Sequence, residues 1–451
     1  MKKILFVALN SSWSQSNLAF YYLREVIRDL EFTSTIASFT LKEPLHQVME
    51  DIYARCPDVI CMSAYIWNKI YLQSLQRELA KILPQASFVI GGPEAAAFSD
   101  AARATVIIGP GEAAFRELAV QGFPPRADLG SIAQLALKEL PFPYHPEDLA
   151  FLADHLIYYE CYRGCPYSCV YCLSSCDKRH EPRFDVSRMQ DRDKLHRELS
   201  ALVALKPRTL KFIDRSFNIQ KDLAHEIWNF AIEQDLDFDL HFEIYPDLVE
   251  ERDIELLARA PEGRIRFEVG IQSTNDAVLR ACGRNSDWQK SRATLLALKE
   301  RTNVRVHADL LVGLPGEDFG SITRSLNELC LCEPAAIQLG MLKILPDTPM
   351  REIALERGYL WMDLPPYQIL CSDTLDFACL CLLDDFAHLL SLYWNKEEYP
   401  RQWHQLLQKH SADHVLQSLR ELHKKHELPL HSVSRQKREM IMQSLVEKLL
   451  G

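Results

Sequence analysis

Short apolar runs alternate with amphipathic helical segments along most of the chain, in two separate blocks. Continuous apolar strands that are separated by helices predict parallel sheets that are covered on both faces. In the first block, helical patterns such as 19–29 and 72–83 lie between the strands. The predicted strands of this block are 4–9, 34–39, 59–65, 88–91 and 105–109. We therefore predict a doubly wound, Rossmann-like α/β domain over residues 1–125.

The second block contains six strand–helix units and predicts a parallel barrel, complete or partial, whose chemistry lies at the carboxyl ends of its strands. Its predicted strands are 156–160, 209–213, 239–244, 264–271, 304–311 and 336–342. Residues 126–150 are rich in proline and predict a linker. The strand signal fades after residue 349, and helical patterns at 379–392 and 411–426 predict a helical C-terminal domain. The predicted segments are thus 1–125, 126–150, 151–349 and 350–451.

Charge and cysteine content narrow the class of protein. The 451 residues carry a net charge of −11, which disfavours a broad nucleic-acid interface. The Lys and Arg residues of the tail recur at helical spacing, as on a solvated helix face. No apolar stretch reaches the roughly 18 residues that a membrane helix needs, and no signal-peptide pattern is present, so we expect a cytoplasmic protein.

Thirteen cysteines include four within residues 165–176, and such crowding favours metal binding over disulfides.

The densest of these cysteines follow the first predicted barrel strand. Cys165, Cys169 and Cys172 have the spacing C-x3-C-x2-C. Thiolates hold iron–sulfur clusters, and three local ligands leave one iron of a [4Fe–4S] cluster open for catalysis. The alternative is a zinc site that adds Cys176. Cys161 and Cys176 otherwise have no predicted role.

The carboxyl ends of parallel strands are where such sheets bind ligands. In the first block these ends carry serine, glycine, aromatic and acidic residues, which predict one shared ligand site. Ordinary strand-to-helix turns are the alternative, and for the three aromatic residues the alternative is core packing. The candidates are Asn10, Ser12, Trp13, Ser63, Tyr65, Trp67, Gly91, Gly92, Glu94, Gly109, Gly111 and Glu112.

The segment around the three cysteines resembles the cluster loop of radical S-adenosylmethionine enzymes, and the first domain resembles the cobalamin-binding domain that many of them carry. The whole chain is similar to the cobalamin-binding radical S-adenosylmethionine proteins with an uncharacterised C-terminal domain, and Cys371-Ser-Asp-Thr-Leu375 carries the tail's resemblance. The resemblance implies a partial (β/α)6 TIM-like barrel. It also implies three cofactors, a [4Fe–4S] cluster, S-adenosylmethionine and cobalamin, and an external electron donor such as flavodoxin or ferredoxin.

The resemblance assigns roles to further residues of the barrel. Asp214 would organise the cluster loop, or else cap the following helix. Glu243 would bind the ribose of S-adenosylmethionine, or else pair with a neighbouring base. Arg284 would meet the methionyl carboxylate, or else lie on a helix surface. The remaining implied pocket residues are Gln272, Asp309, Gly313 near the adenine, and Gln338.

The first domain lacks the Asp-x-His-x-x-Gly motif that supplies a cobalt ligand in many cobalamin domains. The residues around His46, the histidine of this domain, do not match that motif. The resemblance therefore implies a cobalt without a protein histidine, with Trp13, Tyr65 and Trp67 covering that face. The six glycine and glutamate candidates would approach the nucleotide tail.

These features favour an enzyme that cleaves S-adenosylmethionine to a 5′-deoxyadenosyl radical and methylates an unactivated carbon of a small molecule or peptide. Ring formation or rearrangement, the alternative reactions, would use the same cofactors. An RNA methylthiotransferase-like modifier would usually bring further cluster cysteines in the first domain, where only Cys56 and Cys61 occur. A non-enzymatic zinc or iron–sulfur binding module would not need Asp214, Glu243 and Arg284.

Overall fold

The computed structural model describes residues 1–130 and 132–451, which pack as two units. The first unit comprises Met1–Tyr162 and Glu181–Phe212, and the second comprises Arg163–His180 and Ile213–Gly451. Packing therefore does not divide the chain where the sequence pattern changes.

Five parallel strands form the main sheet of the first unit, in the order β2-β1-β3-β4-β5. Residues 4–9 of β1 are all buried, because helices cover both faces of the sheet. This is the predicted doubly wound sheet. Its strands are β1 (Lys2–Asn10), β2 (Phe32–Thr40), β3 (Val59–Ser63), β4 (Ser87–Gly91) and β5 (Ala104–Val106), and its helices are α1 (Leu18–Glu25), α2 (Leu45–Ala54), α3 (Lys69–Ile82) and α4 (Glu112–Val120).

The segment interpreted as a linker is packed into the first unit. Leu137, Leu140 and Tyr144 are at most 3% exposed. The buried Arg183 donates to the Leu137 carbonyl at 3.1 Å and pairs with Glu198 at the same distance. The proline-rich sequence thus continues the core of this unit. Residue 131, within the predicted linker, lies outside the described residues.

The first unit also contains the start of the second strand–helix block. Strands β6 and β9 pair in parallel there, as the sequence predicted. The elements between α4 and residue 212 are α5 (Leu149–Leu152), β6 (Leu156–Tyr159), β7 (Tyr162–Arg163), β8 (Glu181–Pro182), α6 (Met189–Ala204) and β9 (Thr209–Phe212).

Four parallel strands of the second unit pair in the order β13-β12-β11-β10. Each lies within two residues of its predicted position. These elements are α7 (Lys221–Glu233), β10 (Asp239–Ile244), α8 (Glu251–Leu257), β11 (Ile265–Gln272), α9 (Asp276–Ala281), α10 (Trp288–Arg301), β12 (Arg305–Val312), α11 (Phe319–Leu331) and β13 (Ala336–Met341).

The C-terminal part of the second unit is helical after one short hairpin, and its two longest predicted helices occur within two residues of their predicted ends. Across the described ranges, none of the helices combines the length and the apolar character that crossing a membrane requires. The elements are α12 (Met350–Glu356), β14 (Leu360–Trp361), β15 (Ile369–Cys371), α13 (Phe377–Tyr393), α14 (Pro400–Leu407), α15 (Ala412–Lys425) and α16 (Arg435–Leu450).

Candidate active site

The cysteine loop of the second unit is fixed by backbone hydrogen bonds. The Cys172 amide donates to the Cys169 carbonyl at 3.1 Å, and the Val170 amide donates to the Cys282 carbonyl at 3.0 Å. Gly283, at φ +70°, packs so closely that a Cβ would lie 2.6 Å from the Ser168 carbonyl oxygen. The loop is therefore held by its own turn and by the segment that precedes Arg284.

The three motif cysteines lie near one another. Burial raises the pKa of the Cys165 thiol, and the Cys172 and Cys169 thiols add to that effect. Within the described ranges, no group of three His, Cys, Asp or Glu side chains is arranged around a point that one metal ion could occupy. The thiolates of a [4Fe–4S] cluster bind different irons, so its ligands need not converge in that way.

The fourth nearby cysteine is separately engaged. Cys176 is exposed, and its thiol donates to the Asp347 carbonyl at 3.3 Å. Cys161 is fully buried in the first unit. Neither placement gives these residues a ligand role.

Arg284 lies beside the cysteine loop and not on a helix surface. It is 8% exposed, stands 4.6 Å over the Tyr245 ring and interacts with the Cys169 thiol. One guanidinium nitrogen donates to the Gly270 carbonyl. Its Nε is buried and finds no hydrogen-bond partner among the described residues. A buried cation with an unused N–H beside a cluster thiol fits a bound carboxylate such as the one implied.

Glu243 is paired with a base that the sequence analysis did not single out. Its carboxylate lies 3.2 Å from the Arg215 guanidinium. Glu243 raises the pKa of Arg215, burial opposes this, and the Cys172 thiol reinforces it. The structure thus contains the ion pair with a neighbouring basic residue that was the alternative role for Glu243. Both side chains are accessible in part, so the carboxylate can still exchange partners with a ligand.

Asp214 is 2% exposed and lies two residues after the end of β9, and the N-cap residue of α7 is Gln220. The two roles considered for Asp214, organising the cluster loop and capping the following helix, stay predictions. A buried carboxylate adjacent to Arg215 remains compatible with the implied organising role.

Side chains on one face of strands β10 to β12 are mostly polar. Alternate residues are fully buried, and those between them are mostly partly exposed. In this set His241 lies 3.1 Å from Glu268, and His307 lies 3.4 Å from Asp309. The polar set is Asp239, His241, Glu243, Arg266, Glu268, Gln272, Arg305, His307 and Asp309. TIM barrels usually fill this face with branched apolar residues, so a polar face indicates a ligand or water cavity.

The other predicted barrel residues lie on or beside this polar face. Asp309 pairs in register with Gln338 on β13, which is exposed. Gln272 has φ +70° at a bulge, and its amide packs against Gly270. Gly313 begins the turn after β12. The structure therefore brings the barrel candidates to one face and its carboxyl-end loops.

The carboxyl ends of β1 and β3 in the first unit are joined by Asn68. Its side chain donates to the Leu9 and Ser63 carbonyls, both at 3.1 Å, and accepts from the Tyr65 amide at 2.8 Å. The strand order changes direction between these two strands, and ligands bind at such a switch point. Asn10 donates to the Gln15 carbonyl at 2.9 Å at the same edge. The edge is thus a pre-formed cradle.

Aromatic residues at this edge are exposed. Trp13 is 59% exposed and Trp67 is 49% exposed, so the core-packing alternative is wrong for both. Tyr65 and Trp67 stack with their centroids 4.3 Å apart, and Trp13 meets His155 edge-on. Exposed, ordered aromatic rings beside a switch point fit a large, flat ligand.

The acidic and glycine candidates form the rest of the edge. Glu94 is buried and pairs with Lys69 at 2.9 Å. The backbone beside Gly109 is open, because a Cβ there would meet nothing within 4 Å. His46 is exposed in the first turn of α2. Gly91 is the last residue of β4 and Glu112 is the first residue of α4, whereas Ser12, Gly92 and Gly111 lie in the turns that follow β1, β4 and β5.

Three residues at these sites escaped the sequence analysis. Asn68 follows β3 and Arg215 follows β9, but neither had an assigned role, and Tyr245, which stacks on Tyr167 at 4.2 Å, lies two residues after Glu243. Their proximity to strand ends was the available signal.

Comparison with known proteins identifies the class. The Radical SAM superfamily matches residues 159–329 and the B12 binding domain matches residues 5–119. The structure of the radical S-adenosylmethionine methyltransferase TsrM from Kitasatospora setae is similar, with a TM-score of 0.61, 17% identity and coverage of 79% of this chain and 77% of that one. The structure of the cobalamin-dependent S-adenosylmethionine radical enzyme OxsB is similar with a TM-score of 0.64 at 15% identity. The match covers 100% of this chain and 80% of the OxsB chain. These likenesses establish the fold.

The chain is a radical S-adenosylmethionine protein with a cobalamin-binding domain, and its cofactors are a [4Fe–4S] cluster, S-adenosylmethionine and cobalamin. More narrowly, residues 356–447 match a protein family of unknown function, DUF4080, so the chain combines that C-terminal domain with the other two. An uncharacterised protein of Methanocaldococcus jannaschii is 25% identical over 155 residues, 34% of this chain. The chain spans 47% of that relative's length.

Proposed function

We propose that this protein methylates an unactivated carbon of a polar small molecule or peptide. One observation carries the proposal: a single chain contains both a cobalamin-binding domain and a radical S-adenosylmethionine domain. When bound, these cofactors supply a 5′-deoxyadenosyl radical from S-adenosylmethionine and a methyl group from cobalamin. TsrM, which has a similar fold, is a methyltransferase.

The residues of the second unit would hold the radical source. Cys165, Cys169 and Cys172 would bind three irons. The unused Nε–H of Arg284 would bind the methionyl carboxylate. The Glu243 carboxylate would give up part of its ion pair with Arg215 and accept hydrogen bonds from the ribose hydroxyls. Because Arg215 also faces Cys172, it would keep positive charge beside an anionic cluster.

The residues of the first unit would hold cobalamin at the carboxyl edge of its sheet. Trp67, stacked on Tyr65, and Trp13 would cover one face of the corrin ring and exclude water. The open backbone at Gly109 would let the nucleotide tail approach. No histidine would ligate the cobalt.

The polar face of the barrel supports a polar substrate. His241, Glu268, His307 and Asp309 would hydrogen-bond substrate groups and keep the reacting carbon in place. A purely hydrocarbon substrate would displace water from these side chains and offer them no hydrogen bonds in exchange, which is costly. We therefore expect a substrate with several nitrogen or oxygen groups, delivered with electrons from an external donor protein.

Two other functions receive less support. An RNA methylthiotransferase-like role would be helped by a second cluster in the first unit. There Cys61 is 1% exposed within β3, enclosed by the packed sheet, whereas Cys56 is exposed. A zinc module would not require the polar barrel face.

The test is anaerobic reconstitution followed by incubation with trideuteromethyl-labelled S-adenosylmethionine and a small-molecule extract. We expect about four irons per chain, bound cobalamin, 5′-deoxyadenosine and products that carry the labelled methyl group. Cys169→Ala should abolish 5′-deoxyadenosine formation, whereas Cys176→Ser, the matched control, should retain it. Coupled products without the label would favour ring formation or rearrangement, and zinc without iron would contradict an enzyme of this class.

A further inference from the structure

The motif Cys371-Ser-Asp-Thr-Leu375, which carries the tail's resemblance, directly contacts the loop that follows β12. The Asp373 carboxylate accepts from Arg357 at 2.6 Å and from the Gly316 amide at 3.5 Å. Thr374 donates its hydroxyl to the Glu317 carbonyl at 2.7 Å. The C-terminal domain therefore reaches the backbone of the 313–317 loop from outside the barrel.

Tyr359 makes the second connection between these parts. Its hydroxyl is 3.2 Å from the Gly313 carbonyl oxygen and 3.2 Å from the Asp373 carboxylate. The side chain is 3% exposed, and burial, reinforced by Asp373, raises the pKa of its hydroxyl. The phenol thus stays protonated and bridges the loop carbonyl to the acidic residue of the motif.

The apolar contact at this place is equally close. Gly313 has φ +95°, and a Cβ there would overlap the Ile369 side chain on β15. Only glycine fits between the strand end and the hairpin of the C-terminal domain. Backbone hydrogen bonds continue the contact, because the Ile369 amide donates to the Leu342 carbonyl at 3.1 Å.

We propose that Tyr359, Asp373 and Thr374 form a clasp that sets the conformation of the 313–317 loop for binding the adenosyl part of S-adenosylmethionine. The clasp residues are positioning residues, since they act through the loop backbone. The inference rests on the proposed placement of S-adenosylmethionine beside Gly313. It gives the C-terminal domain of unknown function a role in cofactor affinity.

Asp373→Asn tests the clasp with little change in shape. The amide lacks the negative charge of the carboxylate, which accepts hydrogen bonds from Arg357, Gly316 and Tyr359. Losing one charge-assisted hydrogen bond corresponds to about a tenfold change in an equilibrium. We expect the dissociation constant of S-adenosylmethionine, measured by calorimetry on the anaerobic holoprotein, to rise about tenfold, with iron and cobalamin content unchanged. Asp384→Asn, which changes an exposed side chain of α13, is the matched control and should bind as the wild type does.

Hydrogen exchange supplies a readout that does not depend on turnover. Without S-adenosylmethionine, the amides of residues 313–317 should exchange faster in Asp373→Asn than in the control. Tyr359→Phe and Thr374→Val should give smaller changes in the same direction, and they keep the test valid if Asp373→Asn folds poorly. At saturating S-adenosylmethionine, 5′-deoxyadenosine formation should recover, because the clasp affects KM more than kcat.

Unchanged affinity in all three variants would overturn the inference, whether or not loop exchange changed. If affinity falls as expected but no labelled methyl product is ever found, the clasp stands and the proposed methylation fails. The two proposals are therefore separable by these measurements.

Discussion

Glu317 should make the stability of the second unit fall as pH rises toward neutrality. The residue follows the last glycine of the 313–317 loop and is 1% exposed. Burial raises the pKa of its carboxyl group from 4.5 to about 7, although hydrogen bonds from Ser273 and Ser321 oppose the rise. The folded chain therefore retains a proton that the unfolded chain releases between these values.

The sign and size of the effect follow from this difference. Below pH 4.5 the carboxyl group is protonated in both states, and its contribution to stability is fully present. As pH rises through about 7 that contribution is lost, because the ionised group is buried. A pKa difference of about 2.5, at about 1.4 kcal/mol for each pKa unit, corresponds to about 3.5 kcal/mol over the whole titration.

Glu317→Gln removes the titration but keeps an oxygen that accepts from Ser273. We expect the variant to gain about 2.5 kcal/mol relative to the wild type between pH 5 and pH 8, because a small part of the loss has already occurred at pH 5. Urea unfolding of the anaerobic holoprotein over this range, followed by tryptophan fluorescence, measures the difference. Glu352→Gln, which changes an exposed carboxylate on α12, is the control and should leave the wild-type pH dependence unchanged. If Glu317→Gln has the same pH dependence as the wild type, the carboxyl group titrates normally and the argument is wrong.

Three further perturbations test the two units separately. Arg284→Lys keeps the charge but loses the guanidinium fork, so KM for S-adenosylmethionine in 5′-deoxyadenosine formation should rise about tenfold at unchanged iron content. Trp67→Ala removes the ring stacked on Tyr65, and the dissociation constant for cobalamin, measured by absorbance titration, should rise up to about tenfold. Arg183→Ala removes the buried guanidinium that pairs with the Glu198 carboxylate, leaving it Tyr159 and the more distant Lys194, and should cost about 3 kcal/mol in the unfolding of the first unit.

Strand positions could be predicted because each parallel strand is a short apolar run between helices. Residues 239–244 were predicted and observed with the same ends, although this strand alternates polar and apolar residues. The flanking helices identified it. The ends of β1 and β2 were predicted short by one or two residues, because lysine, asparagine and threonine flank the apolar runs and three polar residues separate Phe32 from Ile36.

The packing of residues 126–150 could not be predicted from local pattern. Proline interrupts helical and strand periodicity there, and that favoured a linker. Burial of Leu137 and Tyr144 depends on partners far along the chain, since Tyr144 donates to the Tyr158 carbonyl at 2.6 Å and Arg183 reaches the Leu137 carbonyl. Local sequence carries no information about such contacts.

The three motif cysteines could be singled out from the sequence because their spacing is typical of metal-binding thiols, and their role as cluster ligands stays a prediction. Arg215 could not, because a charged residue after a strand is common, and only its distance from Glu243 and its effect beside Cys172 distinguish it. The same limit applies to Tyr359 and Asp373, whose roles depend on a loop more than forty residues earlier.

A partial barrel with a polar inner face needs stabilisation from elsewhere. Buried polar groups contribute little to folding, and β13 is an edge strand whose backbone must find partners. The C-terminal helices meet the second need, because the Asn395 side chain accepts from the Ile337 amide at 2.9 Å and donates to the Ile337 carbonyl at 3.0 Å. Trp394 donates to the Pro334 carbonyl beside it at 2.9 Å. The C-terminal domain thus covers the barrel edge and clasps the 313–317 loop, so the strands of the barrel can carry polar side chains for binding at the expense of a packed apolar interior.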